Sequence, residues 1–159
     1  MSIDCALIWD LPSPYLHRLD VAANDIDSYQ HVNNAVYVEW LDRAAWAHSS
    51  ALGLPVTRCV ALDRGMAVVR TVITYRRAAV RGDRVVVATW LLPGDTKMRV
   101  RRRFQVQRPT DGETLVRAEI DYACIELTTG RPARWPAEFQ SGYHILPEVM
   151  TAQAQLAAL

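Results

Sequence analysis

Residues 25 to 40, DIDSYQHVNNAVYVEW, place several side chains capable of chemistry directly before an amphipathic segment. They are Asp25, Asp27, His31, Asn33 and Asn34. An aspartate in such a position can act as a general base or as a nucleophile. The first backbone N–H groups of a helix have no partner within the helix, and the helix dipole favours negative charge there. The stretch therefore suits a reaction in which negative charge develops beside a helix start.

Each of these residues also has a purely structural interpretation. Aspartate and asparagine are ordinary helix caps, so Asn33 fits a cap and Asp25 fits a loop or turn residue. His31 suits two roles equally, because it can orient water or substrate, or hydrogen-bond to a loop carbonyl. Of the two asparagines, Asn34 fits a position facing a substrate better than Asn33 does. A tyrosine one turn into a helix, such as Tyr37, is more often a core residue. Residue types alone leave these alternatives open.

The following segment predicts one long helix, from Asn34 to Leu52. Its apolar residues recur at helical spacing, and its charged residues fall on the other side. Asn33 or Asn34 can cap its start, and Gly53 followed by Pro55 supplies a stop.

Five segments rich in Val, Ile, Thr and aromatic residues predict β-strands, at 15–22, 67–80, 83–92, 97–108 and 114–127. Turn signals separate the later four, and everything after the helix reads as sheet. The order predicts an α+β fold in which a single helix packs on one curved antiparallel sheet. The exposed edges of such a sheet favour a dimer that continues it.

The composition predicts one globular domain over residues 1–159, with 50% hydrophobic and 22% charged residues. A net charge of +1 gives no reason to expect a nucleic-acid partner. Cys5, Cys59 and Cys124 lie far apart, which predicts reduced, mostly buried thiols rather than disulfides or a zinc site. No apolar run is long enough to span a membrane and no leader is evident, so we expect a cytoplasmic protein.

The motif DIDSYQHVNNAVYVEWLDRA, between a strand and a helix, resembles the hotdog-fold thioesterases of the 4-hydroxybenzoyl-CoA thioesterase and acyl-ACP thioesterase type. The resemblance runs from about residue 15 to residue 136, and ITYRRAAVRGD at 73–83 is similar to the family's strand after the helix. It implies a hotdog fold, in which one long helix is wrapped by a curved antiparallel sheet of about five strands. It also implies hydrolysis of acyl-CoA or acyl carrier protein thioesters, with no metal or cofactor.

The resemblance implies that the acidic residue Asp27 is catalytic, and we expect His31 and Asn34 to be catalytic residues beside it. Asp27 would activate water or attack the thioester carbonyl itself, and N–H groups near Asn34 and Ala35 would stabilise the oxyanion. We expect Asn33, Ala35 and Tyr37 to contact the substrate. Some relatives use a second acidic residue after the helix; Asp63 is the nearest candidate, although a turn before Gly65 explains it better.

The run KMRVRRRFQVQR at 97–108 alternates basic residues along one strand face. That face carries Lys97, Arg99, Arg101 and Arg103, and the other carries Met98, Val100, Arg102 and Phe104. Such a strip is commonly a solvated surface. The alternative is that Arg101 and Arg103 bind the phosphates of coenzyme A or an acidic carrier protein, a role that Arg76, Arg77 and Arg81 also suit.

Two other functions fit the same fold. One is an enoyl-thioester hydratase or dehydratase, although NDIDSYQHVNN lacks the glycine and proline of those relatives. The other is a non-catalytic acyl-CoA-binding protein. We expect a homodimer, with a homotetramer as the alternative. The acyl group stays open, because Trp40, Trp46, Trp90 and Phe104 suit an acyl pocket and a core equally.

Overall fold

The computed structural model describes residues 6–96 and 98–157, so Cys5 and Lys97 lie outside the described residues. The elements in chain order are β1 (Tyr15–Asp20), α1 (Asn34–Ala51), α2 (Val56–Ala61), β2 (Arg64–Tyr75), β3 (Arg84–Pro93), β4 (Arg99–Arg108), β5 (Glu113–Glu126), α3 (Ala137–Gly142) and α4 (Pro147–Ala157). A 3-10 turn at Ala23–Asp25 lies between β1 and α1.

The strands form one five-stranded antiparallel sheet in the order β1-β3-β4-β5-β2. Consecutive hairpins join β3, β4 and β5, as the turn signals predict. The two strands that come first in the chain, β1 and β2, are the edges. A register shift between Val68 and Arg70 interrupts the pairing of β2 with β5. The predicted antiparallel sheet is confirmed.

Helix α1 packs against the inner face of this sheet through one apolar stripe. Tyr37, Trp40, Leu41 and Ala44 are each at most 2% exposed, and burying the larger of these side chains contributes roughly 1.5–3 kcal/mol apiece. The helix ends at Ala51, and a left-handed glycine with φ 82° follows at position 53. The predicted long helix and its stop are confirmed.

The outer face of the sheet is partly covered as well. A second apolar cluster contains Leu11, Ala88, Trp90, Leu92 and Val149, so the segment before β1 and helix α4 both pack there. The Trp90 indole donates a hydrogen bond to the Pro12 carbonyl at 2.8 Å. Trp90 therefore belongs to the outer face, whereas Trp40 and Phe104 belong to the core beneath α1.

The prediction that everything after α1 forms sheet is wrong for α2, α3 and α4. Helices α2 and α3 have six residues each, too few for a helical period to appear in the sequence. Both follow a proline, Pro55 or Pro136, which occupies the N-cap position. Among the described residues, no helix is long and apolar enough to cross a membrane.

Candidate active site

The residues before α1 form a short closed loop. Ile26 and Val32 make an isolated antiparallel bridge, and the Asp27 N–H donates to the His31 carbonyl at 2.8 Å. The Gln30 N–H donates to the Asp27 carbonyl at 3.0 Å, and Gln30 takes the left-handed φ of 63° that this turn needs. These bonds fix the backbone of Asp27 relative to the start of the helix.

The side chain of Asp27 is half-buried and caps its own turn. Its Oδ1 accepts a hydrogen bond from the Tyr29 N–H at 2.8 Å. No hydrogen bond to the second oxygen, Oδ2, is found among the described residues. Asp25 makes a similar local bond, because its Oδ2 accepts from the Ala22 N–H at 2.8 Å. The predicted loop role of Asp25 is confirmed.

A cavity of about 530 Å³ opens at the start of α1. Its walls are Asp27, Tyr29, His31, Val32, Asn34, Tyr37, Tyr75, Arg76, Arg77 and Ala78. The structure therefore brings together Asp27, His31, Asn34 and Tyr37 from the predicted site. Asp25 makes no part of this wall.

The backbone donors at the helix start differ from the expectation. Asn33 is the N-cap, and its Oδ1 accepts the Ala35 N–H at 2.9 Å. The N–H of Ala35 is therefore occupied, which corrects its expected part in an oxyanion site. Among the described residues, no hydrogen bond from the Asn34 N–H is found. Asn34, which lines the cavity, therefore has a free N–H donor, whereas Asn33 and Ala35 lie outside the cavity wall.

Two tyrosines hold the surrounding elements together. The hydroxyl of Tyr37 accepts the Ala79 N–H at 2.8 Å, and burial raises the pKa of Tyr37. The hydroxyl of Tyr75, the last residue of β2, donates to the Asn34 carbonyl at 3.1 Å. The two rings meet edge to face with centroids 5.6 Å apart. Sequence reasoning missed Tyr75, whose only signal is its place at the end of a strand and before two arginines.

The basic residues divide between two surfaces. Arg76 and Arg77 are exposed on the cavity wall, and Arg77 lies 4.0 Å from Glu113. Arg101 and Arg103 do not line this cavity, because their side chains project from β4 on the outer face of the sheet. The structure thus separates the two predicted phosphate-binding groups.

Acidic residues of β5 lie directly opposite the predicted positive strip. Arg101 is paired in register with Asp121 and binds it through two hydrogen bonds, of 2.5 and 3.1 Å. Arg103 is opposite Glu119 and also donates to Gln153 at 3.0 Å. The bond to Arg101 lowers the pKa of Asp121. This face is a network of ion pairs rather than an uncompensated positive surface.

Comparison with known proteins identifies the family. The model of the thioesterase-like superfamily matches residues 21–143. The chain belongs to this superfamily. It is 30% identical over 115 residues to the long-chain acyl-CoA thioesterase FadM of Escherichia coli, with 70% of this chain and 83% of FadM covered. The sequence-based assignment to a thioesterase family is therefore confirmed.

Similar solved structures confirm the hotdog fold. A 1,4-dihydroxy-2-naphthoyl-CoA thioesterase from Synechocystis matches with a TM-score of 0.74 at 19% identity, over 82% of this chain and 96% of that one. A hypothetical protein from Thermus thermophilus matches with a TM-score of 0.74 at 26% identity, over 82% and 99% of the two chains.

The second acidic candidate in this thioesterase-like chain has a structural role. Asp63 has φ 51°, and its carboxylate accepts hydrogen bonds from the N–H and the hydroxyl of Thr128 at 2.9 and 2.8 Å. Its predicted place in a turn is confirmed. Within residues 6–96 and 98–157, no group of three or more His, Cys, Asp or Glu side chains is placed to hold a metal ion.

Proposed function

We propose that this protein hydrolyses acyl-CoA thioesters to a free carboxylic acid and coenzyme A. The observation that carries the proposal is the cavity at the start of α1, which is lined by both Asp27 and Asn34, the residue with the free backbone N–H. Membership of the thioesterase-like superfamily and the likeness to an acyl-CoA thioesterase support this chemistry.

We assign Asp27 the role of general base. Its Oδ1 is held by the Tyr29 N–H, which leaves Oδ2 to take a proton from a water molecule. The water oxygen then bonds to the thioester carbonyl carbon, the C–S bond breaks, and the departing sulfur is protonated. Direct attack by Asp27 is the alternative. A single turnover in H₂¹⁸O tests this second route, because water that attacks the Asp27 carboxyl carbon of the acyl–aspartyl anhydride leaves the label in Asp27, whereas the general-base route labels only the product acid.

The helix start stabilises the charge that forms during this attack. The Asn34 N–H and the dipole of α1 face the developing oxyanion, and one such donor contributes ~3 kcal/mol in other enzymes. Asn33 acts indirectly by capping the helix and holding Ala35. The substitution Asn34→Ala keeps the backbone donor, so it should slow turnover less than loss of the Asp27 carboxylate.

Arg76 and Arg77 are the proposed contacts for the phosphates of coenzyme A. Both guanidinium groups are exposed on the wall of the Asp27 cavity, and arginine forms paired hydrogen bonds with phosphate oxygens. Arg101 and Arg103 suit this role less because carboxylates already bind them. An acidic acyl carrier protein would use the same exposed arginines, so it remains the alternative thioester carrier.

We infer a homodimer that pairs the β2 strands of two protomers. This edge strand of twelve residues exposes Val68, Val69, Val72 and Tyr75, which are 42 to 55% accessible. A long apolar edge of this kind is normally covered, and antiparallel pairing would continue the sheet. Tyr75 also lines the cavity, so a partner strand would lie close to the site. Two such dimers could associate further into the homotetramer considered above.

Release of the coenzyme A thiol from a panel of acyl-CoA thioesters tests the proposed function. We expect hydrolysis well above the buffer rate for at least one acyl class. The same panel on acyl carrier protein shows which carrier is preferred. Absence of thiol release from every member of both panels would reject the hydrolase proposal.

A further inference from the structure

A second cavity, of about 120 Å³, lies between the C-terminal half of α1 and strands β2 and β4. Its mouth includes the exposed residues Asp42 and Trp46. Its floor includes Arg102, Ser49 and Tyr143, which are 3%, 5% and 5% exposed. A cationic side chain therefore lies at the bottom of a small opening in the core.

The described partners of the Arg102 guanidinium are all uncharged. Nη1 donates to Nδ1 of His48 at 2.9 Å, and Nη2 donates to the Ser49 hydroxyl at 2.9 Å. The Tyr143 ring lies 5.8 Å from the guanidinium carbon. Burial and the neighbouring Arg102 charge lower the pKa of His48 to about 3, so His48 is a neutral acceptor. A guanidinium has five N–H donors, and His48, Ser49 and the Tyr143 hydroxyl occupy at most three of them, which leaves donors for a ligand.

No carboxylate among the described residues forms an ion pair with Arg102. Other arginines of the same sheet do have one, since Arg101 binds Asp121 and Arg117 binds Asp10 at 2.6 Å. Asp42 also lines the cavity, but it precedes Ser49 by seven residues in α1. This spacing separates Asp42 from Ser49 by about 10 Å along the helix axis. Burial of an uncompensated charge is costly, and an apolar residue would fill the position at lower cost.

Both cavities border α1, the first near its start and the second along its C-terminal half. Asn34 of the first cavity and Ser49 of the second are fifteen residues apart, which places them about 60° apart around the helix and about 22 Å apart along it. A long acyl group extending along α1 from the helix start would bring its far end toward Arg102.

We propose that the second cavity binds a carboxylate group, with Arg102 as its charged ligand. The carboxylate belongs to the far end of a substrate's acyl group or to a small free organic acid. The volume equals that of roughly four water molecules, enough for a carboxylate and one or two carbon atoms, and a third carbon would lie in the open mouth beside Trp46. The first source rests on the proposed hydrolase function, whereas the second source is independent of it.

Binding of free acids tests the cavity without any hydrolysis. Butyrate and its neutral amide, butyramide, are compared on the wild-type protein at equal ionic strength, with the melting temperature and calorimetric binding as readouts. We expect butyrate to bind and to raise the melting temperature, and butyramide to do neither. The effect should be lost in Arg102→Met and partly kept in Arg102→Lys. Arg103→Met is the matched control, because Arg103 projects from the opposite face of β4.

Hydrolysis of length-matched thioesters identifies the source of the carboxylate. Each plain acyl-CoA is compared with the acyl-CoA of equal length that ends in a carboxylate. If the carboxylate is the far end of the acyl group, kcat/KM should be roughly tenfold or more higher for the carboxylate-ended member of one pair, as expected for a charge-assisted hydrogen bond. This preference should be lost in Arg102→Met. Butyrate binding without such a preference supports the free acid.

The proposal is overturned if wild-type protein neither binds butyrate over butyramide nor prefers a carboxylate-terminated thioester. Arg102 would then serve only to join β4 to α1 through His48 and Ser49. If no thioester is hydrolysed at all, the proposed function fails, but the butyrate comparison still decides whether the cavity binds carboxylates.

Discussion

Replacing Asp27 by asparagine changes the chemistry of the cavity with little change in its shape. The asparagine oxygen can still accept the Tyr29 N–H, which Asp27 binds at 2.8 Å. The substitution removes the negative charge and the proposed general base. General acid–base groups contribute typically 10²- to 10⁴-fold, so we expect kcat to fall by this factor, or about 3 to 5 kcal/mol in activation free energy.

The free energy of unfolding should change far less. The bond that Asp27 makes is a local cap, and loss of a whole cap costs only about 1 kcal/mol. For a chain of this size, that cost lowers the melting temperature by about 2–4 °C. Turnover is measured by thiol release at saturating acyl-CoA, and stability by circular dichroism on the same preparation.

Asp25→Asn is the matched control. Asp25 also accepts one backbone N–H, from Ala22 at 2.8 Å, but it does not line the cavity. We expect this variant to keep wild-type turnover. The reasoning is refuted if Asp27→Asn retains turnover within threefold of wild type, or if both variants lose activity to the same extent.

Three further predictions concern binding, pH and assembly. Arg76→Glu should raise KM for acyl-CoA more than it lowers kcat, because a phosphate contact binds the substrate and the transition state equally. The rise in KM should be smaller in high salt. An equal rise in KM in the control Arg101→Gln would contradict this assignment. His48 has its pKa lowered from 6.5 to about 3, so its stabilising contribution is complete above pH 6.5 and is lost as pH falls toward 3. His48→Asn should therefore reduce the slope of unfolding free energy against pH by up to about 1 kcal/mol per pH unit between pH 6 and 4. Urea denaturation at several pH values measures this slope. An unchanged slope would argue against a neutral His48. Val69→Lys, in the middle of the exposed edge strand, should give monomers in sedimentation at micromolar concentration, whereas Val80→Lys in a loop should not; a wild-type monomer would remove the basis of the β2 dimer.

The fold could be predicted where the signals are local and repeated. Helix α1 has five turns of periodic sequence, an asparagine cap and a glycine stop, and the strands have clear turns between them. Helix α4 has a local signal in its sequence, because Pro147 and Glu148 occupy its first turn. The shorter helices α2 and α3 offer no such period, since six residues complete fewer than two turns.

The grouping of the candidate site residues was predictable, but the charged partners of the arginines were not. Asp27, His31 and Asn34 are close in sequence, so a loop before a helix brings them to one cavity. Strand alternation correctly divided the faces of β4, yet it could not show which residues of β5 lie opposite. That register neutralises Arg101 and leaves Arg102, on the apolar face, without a carboxylate among the described residues.

The strand order has a consequence for how the chain acquires its structure during synthesis. Strand β1 pairs with β3 and strand β2 pairs with β5, so neither has a neighbour among the residues made before it. A nascent chain that has reached Tyr75 can form α1 but no part of the sheet. Its apolar segments stay uncovered until β3, β4 and β5 emerge, and the edge strands can then be added to a finished meander. Such distant pairings slow folding, so the newly made N-terminal half depends on the rest of the chain, or on a chaperone, to avoid aggregation.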